Sequence, residues 1–196
     1  MASMTIRPHH VTLRGEKVVL RPMSEDDRPT LLRWNSDPEV LYFSEGNEVQ
    51  SYTLEQVQAI YRGVSQAAFC FIAEVRGQPI GEGWLQEMNL PYLRERHAGE
   101  DCRRIDLVID EKTLWGKGVG SEMIALLTRF GFEGEHADVI YGCGIADYNP
   151  RSLRAFQKNG YEIVEKIAEP PGMKAKFCYD VRRVRYNAPH DNPNLS

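Results

Sequence analysis

Three glycines at alternate positions, Gly116, Gly118 and Gly120, separate a predicted apolar strand at residues 104–110 from a predicted amphipathic helix at residues 119–133. A strand that leads into a helix in this way predicts a mixed α/β architecture with a parallel crossover around that helix. Glycines leave backbone amides uncovered, and the helix adds the positive end of its dipole, so the turn is suited to a pyrophosphate. This segment by itself does not exclude the alternative, which is a turn that needs small residues only for packing. The spacing fits neither a P-loop nor a dinucleotide fingerprint.

Hydrophobic periodicity and capping residues predict the other elements. The predicted strands lie at residues 17–22, 69–75, 79–86, 139–146, about 161–168 and about 175–185. The predicted helices run from the cap Ser24 to before Pro38, over residues 53–63 and over residues 150–159. Residues 89–101 lack periodicity and predict a surface loop. This order predicts an α/β fold with a mixed, mostly antiparallel sheet.

No internal repeat or Ser/Gly-rich linker divides the chain. We therefore expect one domain over residues 1–196, with an ordered core at about residues 15–186 and loose ends at 1–14 and 187–196. The four cysteines are widely spaced, which predicts free thiols in a reducing compartment and no metal site. We expect a cytoplasmic protein, because residues 1–10 lack the apolar core of a signal sequence and no stretch is apolar enough for a membrane helix.

The charge balance bears on possible partners. The sequence has 28 acidic and 24 basic residues and a net charge of −4. This balance argues against a general nucleic-acid surface and permits a small cationic ligand. We expect a monomer or a homodimer.

A second motif follows the glycine segment: Asn149-Pro-Arg-Ser-Leu-Arg-Ala-Phe-Gln-Lys-Asn-Gly-Tyr161, a capped helix that leads into a strand. Together the two motifs resemble those of the GNAT acetyltransferase superfamily, whose pyrophosphate loop reads R/Q-x-x-G-x-G/A and whose later helix reads N-x-x-S-x-x-x-Y-x-K-x-G-F. The resemblance covers about residues 17–185. It implies the GNAT fold, with helices on both faces of the sheet, and acetyl transfer from acetyl-CoA. The residues implied to bind acetyl-CoA are Val108, Ile109, Trp115, Gly116, Lys117, Gly118, Val119, Gly120, Asn149, Ser152 and Phe156.

Two positions depart from the family pattern. Trp115 stands where the loop usually begins with Arg or Gln, which leaves the backbone amides of the loop intact. Phe156 stands where the later helix usually carries a Tyr that is suspected of protonating the departing thiolate, and phenylalanine has no proton to give. Either another donor such as Tyr148, Tyr161 or a water serves, or the thiolate leaves unaided, because a thiol pKa of about 8.5 makes that tolerable.

Within the superfamily the chain resembles aminoglycoside 6′-N-acetyltransferases. The supporting segments are Leu20-Arg-Pro-Met-Ser-Glu-Asp-Asp27 leading to Trp34, Arg104-Ile-Asp106, Leu153-Arg-Ala155 and Lys158-Asn-Gly-Tyr161. The resemblance implies acetylation of an aminoglycoside amine, which removes a cation from an antibiotic that binds RNA through charge and so gives resistance. The alternatives are a protein or peptide N-terminal acetyltransferase, an enzyme that acylates siderophore intermediates, and a non-catalytic acyl-CoA-binding module.

Carboxylates near the glycine segment suit a polycationic acceptor. Asp106 lies just before the loop and is the candidate base, directly or through water, and Asp147 at the end of the next strand is the second candidate. Aromatic side chains can cover the apolar face of a sugar. For these aromatic residues, packing in the core is an equally good interpretation. The residues expected to bind the acceptor are Trp34, Tyr42, Glu82, Trp84, Glu87, Asp101, Asp106 and Asp147. For Glu87 and Asp101 a solvated surface charge is the stronger interpretation.

Overall fold

The computed structural model describes residues 5–45, 51–170 and 174–185. Eight strands form one sheet in the order β1-β2-β3-β4-β5-β6-β8-β7. The strands are β1 (Leu13–Arg14), β2 (Val19–Pro22), β3 (Ala68–Val75), β4 (Gln78–Glu87), β5 (Cys102–Ile109), β6 (Val139–Ala146), β7 (Glu162–Ala168) and β8 (Phe177–Val184). Every neighbouring pair is antiparallel except β5 and β6, which are parallel. The mixed, mostly antiparallel sheet and its single crossover confirm the predicted fold class.

Helices cover both faces of this sheet. They are α1 (Arg28–Trp34), α2 (Pro38–Ser44), α3 (Leu54–Val64), α4 (Pro91–Arg96), α5 (Val119–Arg129) and α6 (Pro150–Lys158). The first is preceded by a 3-10 turn at Glu25–Asp27, and the fifth continues into a π turn at Phe130–Gly134.

Strand β3 shows why both faces are covered. Successive side chains of a strand point to opposite faces, and here both sets are apolar. Phe71 and Ala73 pack with α5 and α6, whereas Cys70 and Ile72 pack with α1 and α3. The central strands are therefore buried on both sides, and the functional surfaces must lie where strands separate or end.

Two helices were not predicted. Helix α2 begins at Pro38, and the side chain of Asp37 caps it by accepting the backbone N–H groups of Glu39 and Val40. Helix α4 begins at Pro91 in the segment expected to be a loop, and its Leu93 is fully buried. Both helices carry proline at their first position, which was the available sequence signal. Each is only one to two turns long, too short for helical periodicity to stand out.

The chain is ordered further towards its start than expected. Ile6 is buried against α1 and α3, and the backbone N–H of Arg7 donates to Ser65 Oγ at 2.9 Å. His9 Nε2 lies 2.8 Å from the carbonyl oxygen of Cys70. Residues 6, 7 and 9 thus contact the helix layer and β3 within the segment that the sequence predicted to be loose, because the apolar side chain of Ile6 packs there. Residues 187–196, also expected to be loose, lie outside the described residues.

Candidate active site

Strands β5 and β6 separate part-way along their length. Residues 102–104 pair with residues 139–141, and no later pair joins the two strands within the described ranges. Beyond this point β6 carries an irregularity between Gly142 and Ile145, and Asp180 of β8 accepts the backbone N–H of Gly144 at 2.9 Å. The opening leaves one edge of β5 without a strand partner, and an unpaired edge can bind an extended ligand through backbone hydrogen bonds.

The glycine turn lies directly after this open edge. Gly116 and Gly118 have φ angles of 77° and 85°, a left-handed conformation that favours glycine. Gly118 is the N-cap of α5 and supplies no capping side chain, so the first amides of that helix have neither an intrahelical nor a side-chain partner. Trp115 anchors the start of the turn, because its Nε1 donates to the carbonyl oxygen of Ile109 at 2.8 Å. These features give an anion-binding turn.

A cleft of about 290 Å³ opens beside the turn, between β5, α5, α6 and α2. Eight of the eleven residues implied to bind acetyl-CoA line it: Val108, Ile109, Trp115, Gly116, Gly118, Gly120, Asn149 and Ser152. The sequence also contained a signal that we missed. Arg151, Arg154 and Lys158 recur at helical spacing on α6, and all three line the cleft. The Arg151 guanidinium lies 4.2 Å from the Trp115 ring centroid and 4.8 Å from that of Phe43. The cleft is therefore cationic along one wall.

Three implied cofactor residues lie elsewhere. Val119 is buried in the core, and Lys117 borders a neighbouring surface depression on the other side of the turn. Phe156 is buried against Tyr161 and against Gly142, where the close approach leaves no room for a side chain. Tyr161, one of the alternative proton donors, is also buried and hydrogen-bonded to Thr128 at 2.8 Å. Core packing of α6 on β6 therefore explains both aromatic positions.

A second, smaller cavity of about 70 Å³ adjoins the cleft. Four residues line both spaces: Val40, Ser44, Leu107 and Val108. Three carboxylic residues line the small cavity, Glu45, Glu82 and Asp106, together with the aromatic residues Trp34, Tyr61 and Trp84. We refer to this space as the acidic cavity. Cationic and acidic surfaces therefore meet at Leu107 and Val108 on β5.

Glu82 and Asp106 reach the acidic cavity because their strands are in register. Trp84 pairs with Asp106 and Glu82 pairs with Val108, so all four side chains point to one face. Glu82 is 6% exposed, and burial raises its pKa to about 7 although it accepts hydrogen bonds from Tyr61 and Trp84. Asp106 accepts a hydrogen bond from Gln86 Nε2 at 2.6 Å and forms an ion pair with Arg104.

Four other residues expected to bind the acceptor do not line the acidic cavity. Tyr42 is 39% exposed, and its ring stacks on Tyr148 at a centroid distance of 4.7 Å. Glu87 is exposed at the far end of β4, and Asp101 is paired there with Arg103 at 2.7 Å. Asp147 follows β6, where its backbone N–H donates to Phe177, and it does not occur among the described residues that line either space. Asp147 follows β6 and Asp101 precedes β5, so the two carboxylates lie at opposite ends of neighbouring parallel strands.

Comparison with known proteins decides the family. The profile of the family described as "Acetyltransferase (GNAT) domain" matches residues 17–162, about three-quarters of the chain. This chain belongs to the GNAT acetyltransferase family. The separated strands and the glycine turn of this GNAT protein both lie within the matched residues.

Solved GNAT structures share its fold. A GNAT acetyltransferase from Bacillus anthracis superposes with a TM-score of 0.70 at 17% identity, covering 89% of this chain and 98% of that one. AAC(6')-Ib in complex with ribostamycin and coenzyme A gives 0.72 at 24% identity, covering 87% and 94%. Spermidine N-acetyltransferase from Vibrio cholerae, solved with CoA and spermine, gives 0.67 at 16% identity, covering 86% and 94%. At these identities the likeness shows the fold alone.

The residues present in the cleft fit coenzyme A. The uncapped start of α5 and the left-handed glycines suit the pyrophosphate, and the cationic face of α6 suits further phosphate charge. The open edge of β5 offers backbone groups to the amides of the pantetheine arm. In the described part of the chain no group of three or more His, Cys, Asp or Glu is arranged to hold a metal ion, and no helix is long and apolar enough to cross a membrane.

Proposed function

We propose that this GNAT enzyme transfers the acetyl group of acetyl-CoA to a primary amine of an aminoglycoside, the 6′-amine in the first instance. The observation that carries the proposal is the junction of the acidic cavity with the cationic cleft at Leu107 and Val108. An anionic cofactor and a cationic acceptor would each meet the opposite charge and come together at one strand. The aminoglycoside and spermine complexes of two structural neighbours support a polycationic acceptor.

The chain's own groups would hold the two substrates as follows. Backbone amides at residues 116–120 bind the pyrophosphate, Arg151 and its neighbours on α6 bind phosphate charge, and a backbone N–H beside Val108 on the open edge of β5, that of Leu107 or Ile109, polarises the acetyl carbonyl. When bound, acetyl-CoA supplies the acetyl group as a thioester, whose C–S bond breaks as the amine nitrogen bonds to the carbonyl carbon. Since Phe156 lies in the core, no acid is assigned to the sulfur, and a thiol pKa of about 8.5 makes unaided departure tolerable.

The acidic cavity would hold the reacting end of the acceptor. Its volume of about 70 Å³ suits an aminomethyl group and not a whole sugar ring. Trp34 and Trp84 form apolar walls, and Asp106 orients the ammonium group from the edge next to β5. Much of the rate would come from holding the amine within about 3–3.5 Å of the carbonyl carbon. Asp147, Glu87, Asp101 and Tyr42 have no part in this arrangement.

A panel assay of thiol release tests the proposal. The purified protein is given acetyl-CoA with kanamycin, ribostamycin, spermidine, peptides with free N-termini and hydroxamate precursors in turn. We expect turnover with the aminoglycosides, acetylation of one amine by mass spectrometry, and a raised inhibitory concentration in bacteria that express the chain. Turnover restricted to peptides or to hydroxamate precursors would replace the acceptor class, and binding of acetyl-CoA without any turnover would indicate a non-catalytic module.

A further inference from the structure

Glu82 is a buried carboxyl group at the acidic cavity. The proposed function assigns the orientation of the ammonium group to Asp106 and leaves Glu82 without a role. We propose that Glu82, and not Asp106, accepts the proton that the acceptor's ammonium group must lose before it can react. The inference rests on the proposed amine acetylation and concerns which side chain serves it. It makes Glu82 a catalytic residue that touches the acceptor.

The geometry of Glu82 suits a proton acceptor. It lines the cavity from the centre of β4, on the same strand face as Trp84. Its Oε1 accepts the Tyr61 hydroxyl at 2.6 Å, and its Oε2 accepts Trp84 Nε1 at 3.1 Å. These two donors hold the carboxylate in one orientation, and each oxygen retains a lone pair for an ammonium proton. A base held in place by neighbouring groups is the usual arrangement in general-base catalysis.

The charges around the two carboxylates differ. Asp106 is paired with the guanidinium of Arg104, so a proton on Asp106 would break an existing ion pair. The groups that face Glu82 are Tyr61 from α3, Cys70 from β3, Asp106 from β5 and Glu45 at the end of α2. None of these is a cation. An arriving ammonium group would therefore be the first positive charge to contact Glu82.

Burial also places Glu82 in the useful range of pH. It raises the pKa of this carboxyl group to about 7, and the carboxylates of Glu45 and Asp106 act in the same direction. A carboxyl group of ordinary pKa, about 4, is a poor acceptor for an ammonium proton, whereas one near 7 is well matched. Below pH 7 Glu82 is protonated and inactive as a base, and above pH 7 it is the carboxylate.

The proton balance is simple. One proton passes from the ammonium nitrogen to a Glu82 oxygen, which leaves the amine with the lone pair that it needs. The nitrogen loses a second proton once it has bonded to the carbonyl carbon, and the departed thiolate takes up one proton to become the thiol of coenzyme A. Glu82 then returns its proton to water, so each turnover releases one proton overall.

The first test compares the pH dependence of kcat/KM in the wild type and in Glu82→Gln, with the acceptor that the panel assay identifies. In the wild type we expect kcat/KM to fall about tenfold per pH unit below pH 7, with a midpoint that stays in place when an acceptor of different amine pKa is used. Glu82→Gln should lose about a hundredfold or more in kcat/KM at pH 8, and this decline at low pH should disappear. Glu87→Gln, on the same strand but exposed, should match the wild type.

The variant Tyr61→Phe tests the role of Glu82 through the pH midpoint of kcat/KM, which would not change if Glu82 had only a structural role. It removes the hydroxyl donor that stabilises the carboxylate, so the midpoint of the decline should shift to higher pH. Asp106→Asn should keep the decline, with a midpoint at lower pH, because a carboxylate that raises the pKa of Glu82 is lost. If Glu82→Gln does not fold, these two variants decide the question, since a midpoint that Tyr61→Phe leaves in place, or a decline that disappears in Asp106→Asn, would overturn the proposal.

A direct titration needs no turnover. Carbon-13 NMR of the glutamate side-chain carboxyl groups, with Glu82→Gln to assign the resonance, should show a titration midpoint near pH 7 that rises in Tyr61→Phe. A midpoint near the ordinary value of about 4 would overturn the proposal. The outcomes also separate the two levels of inference: no turnover with any amine overturns the proposed function, whereas turnover with an unchanged pH profile in Glu82→Gln overturns only the role of Glu82.

Discussion

The cofactor cleft and the acidic cavity share four residues and are nevertheless built in different ways. The cleft consists mainly of two chain segments, the glycine turn with its free backbone amides and the length of α6. The acidic cavity consists of side chains from α1, α2, α3, β4 and β5, which lie up to 74 residues apart in the chain (Trp34 to Val108). A site made of local backbone depends on conformation, whereas a site made of distant side chains depends on packing and charge.

This difference predicts that the two regions respond separately to substitution. Changes in the glycine turn should alter the affinity for acetyl-CoA and leave the acceptor's affinity alone. Changes in the acidic cavity should alter the affinity for the acceptor and leave the affinity for acetyl-CoA unchanged, except where a residue lines both spaces. The following variants test that separation, and any variant that moves both affinities by similar factors would refute it.

The largest effect is expected for Gly118→Asp. The left-handed φ angle of 85° disfavours a side chain, the added Cβ would lie 2.9 Å from Lys17 Nζ, and the new charge would repel the pyrophosphate. We expect acetyl-CoA to bind about a hundredfold more weakly, equivalent to about 2.7 kcal/mol, as measured by calorimetry. Gly77→Asp is the matched control, because Gly77 has a φ of 74° and open space around it but lies in the β3–β4 turn. Equal losses in both variants would show that strain, and not the anion site, is responsible.

Asp106→Asn should weaken the binding of the acceptor and leave the binding of acetyl-CoA unchanged. The substitution removes a carboxylate from the acidic cavity and leaves the Arg104 guanidinium without its ion-pair partner, so a cationic acceptor is repelled. We expect KM for the acceptor to rise about ten- to thirtyfold, with the difference from wild type shrinking as salt rises. The dissociation constant of acetyl-CoA should stay within about twofold. A change confined to kcat would contradict an orienting role and favour Asp106 as the base.

Arg151→Met should reduce cofactor affinity by a smaller factor. The guanidinium is held between the rings of Trp115 and Phe43 at the wall of the cleft, and methionine keeps much of the apolar contact without the charge. A lost charge-assisted contact of this kind corresponds to about a tenfold weaker binding of acetyl-CoA. Arg129→Met, on the exposed last turn of α5, is the control and should not change binding.

The smallest effect on turnover is expected for Phe156→Tyr, although the family usually has tyrosine there. The ring is buried against Gly142 and is not among the described residues that line the cleft, so its hydroxyl would be buried. We expect kcat within about tenfold of the wild type, together with a melting temperature lowered by a few degrees, because burying an unpaired hydroxyl costs about 1–3 kcal/mol. A large gain in kcat would show instead that the natural enzyme lacks a needed acid.

The central elements were predictable because their signals are local. The hairpin of β3 and β4, strand β5, helix α5 and helix α6 all appear close to the predicted positions. Alternation along β5 also placed Ile105, Leu107 and Ile109 together, and all three pack with the core beneath α5. Helices α2 and α4 were missed because each spans fewer than eight residues, although Asp37-Pro38 and Pro91 marked their starts.

The acceptor residues remain predictions, and the structure distributes them between the acidic cavity and other surroundings. Position near a motif correctly placed Asp106 beside Glu82 and Trp84, because adjacent strands have a definite register. The same reasoning favoured Asp147, whereas for Asp101 a solvated surface charge was already the stronger interpretation. Asp101 begins β5 at the end away from the cleft, and Asp147 follows β6 after that strand has turned away from β5. Distance along the sequence does not reveal where two parallel strands separate.

By itself, the sequence of this protein determined the conformations that depend on a few neighbouring residues: the glycine turn, the capped helix at Asn149 and the alternation of the central strands. Family membership followed from these, since they carry the motifs. Only the tertiary structure decided that Phe156 packs in the core, that Arg104 pairs with Asp106, and that Glu82 is buried with no cation against it among the described residues. The physical reason is that burial and charge pairing depend on which distant side chains share a space, and these in turn decide which carboxyl group can take a proton near neutral pH.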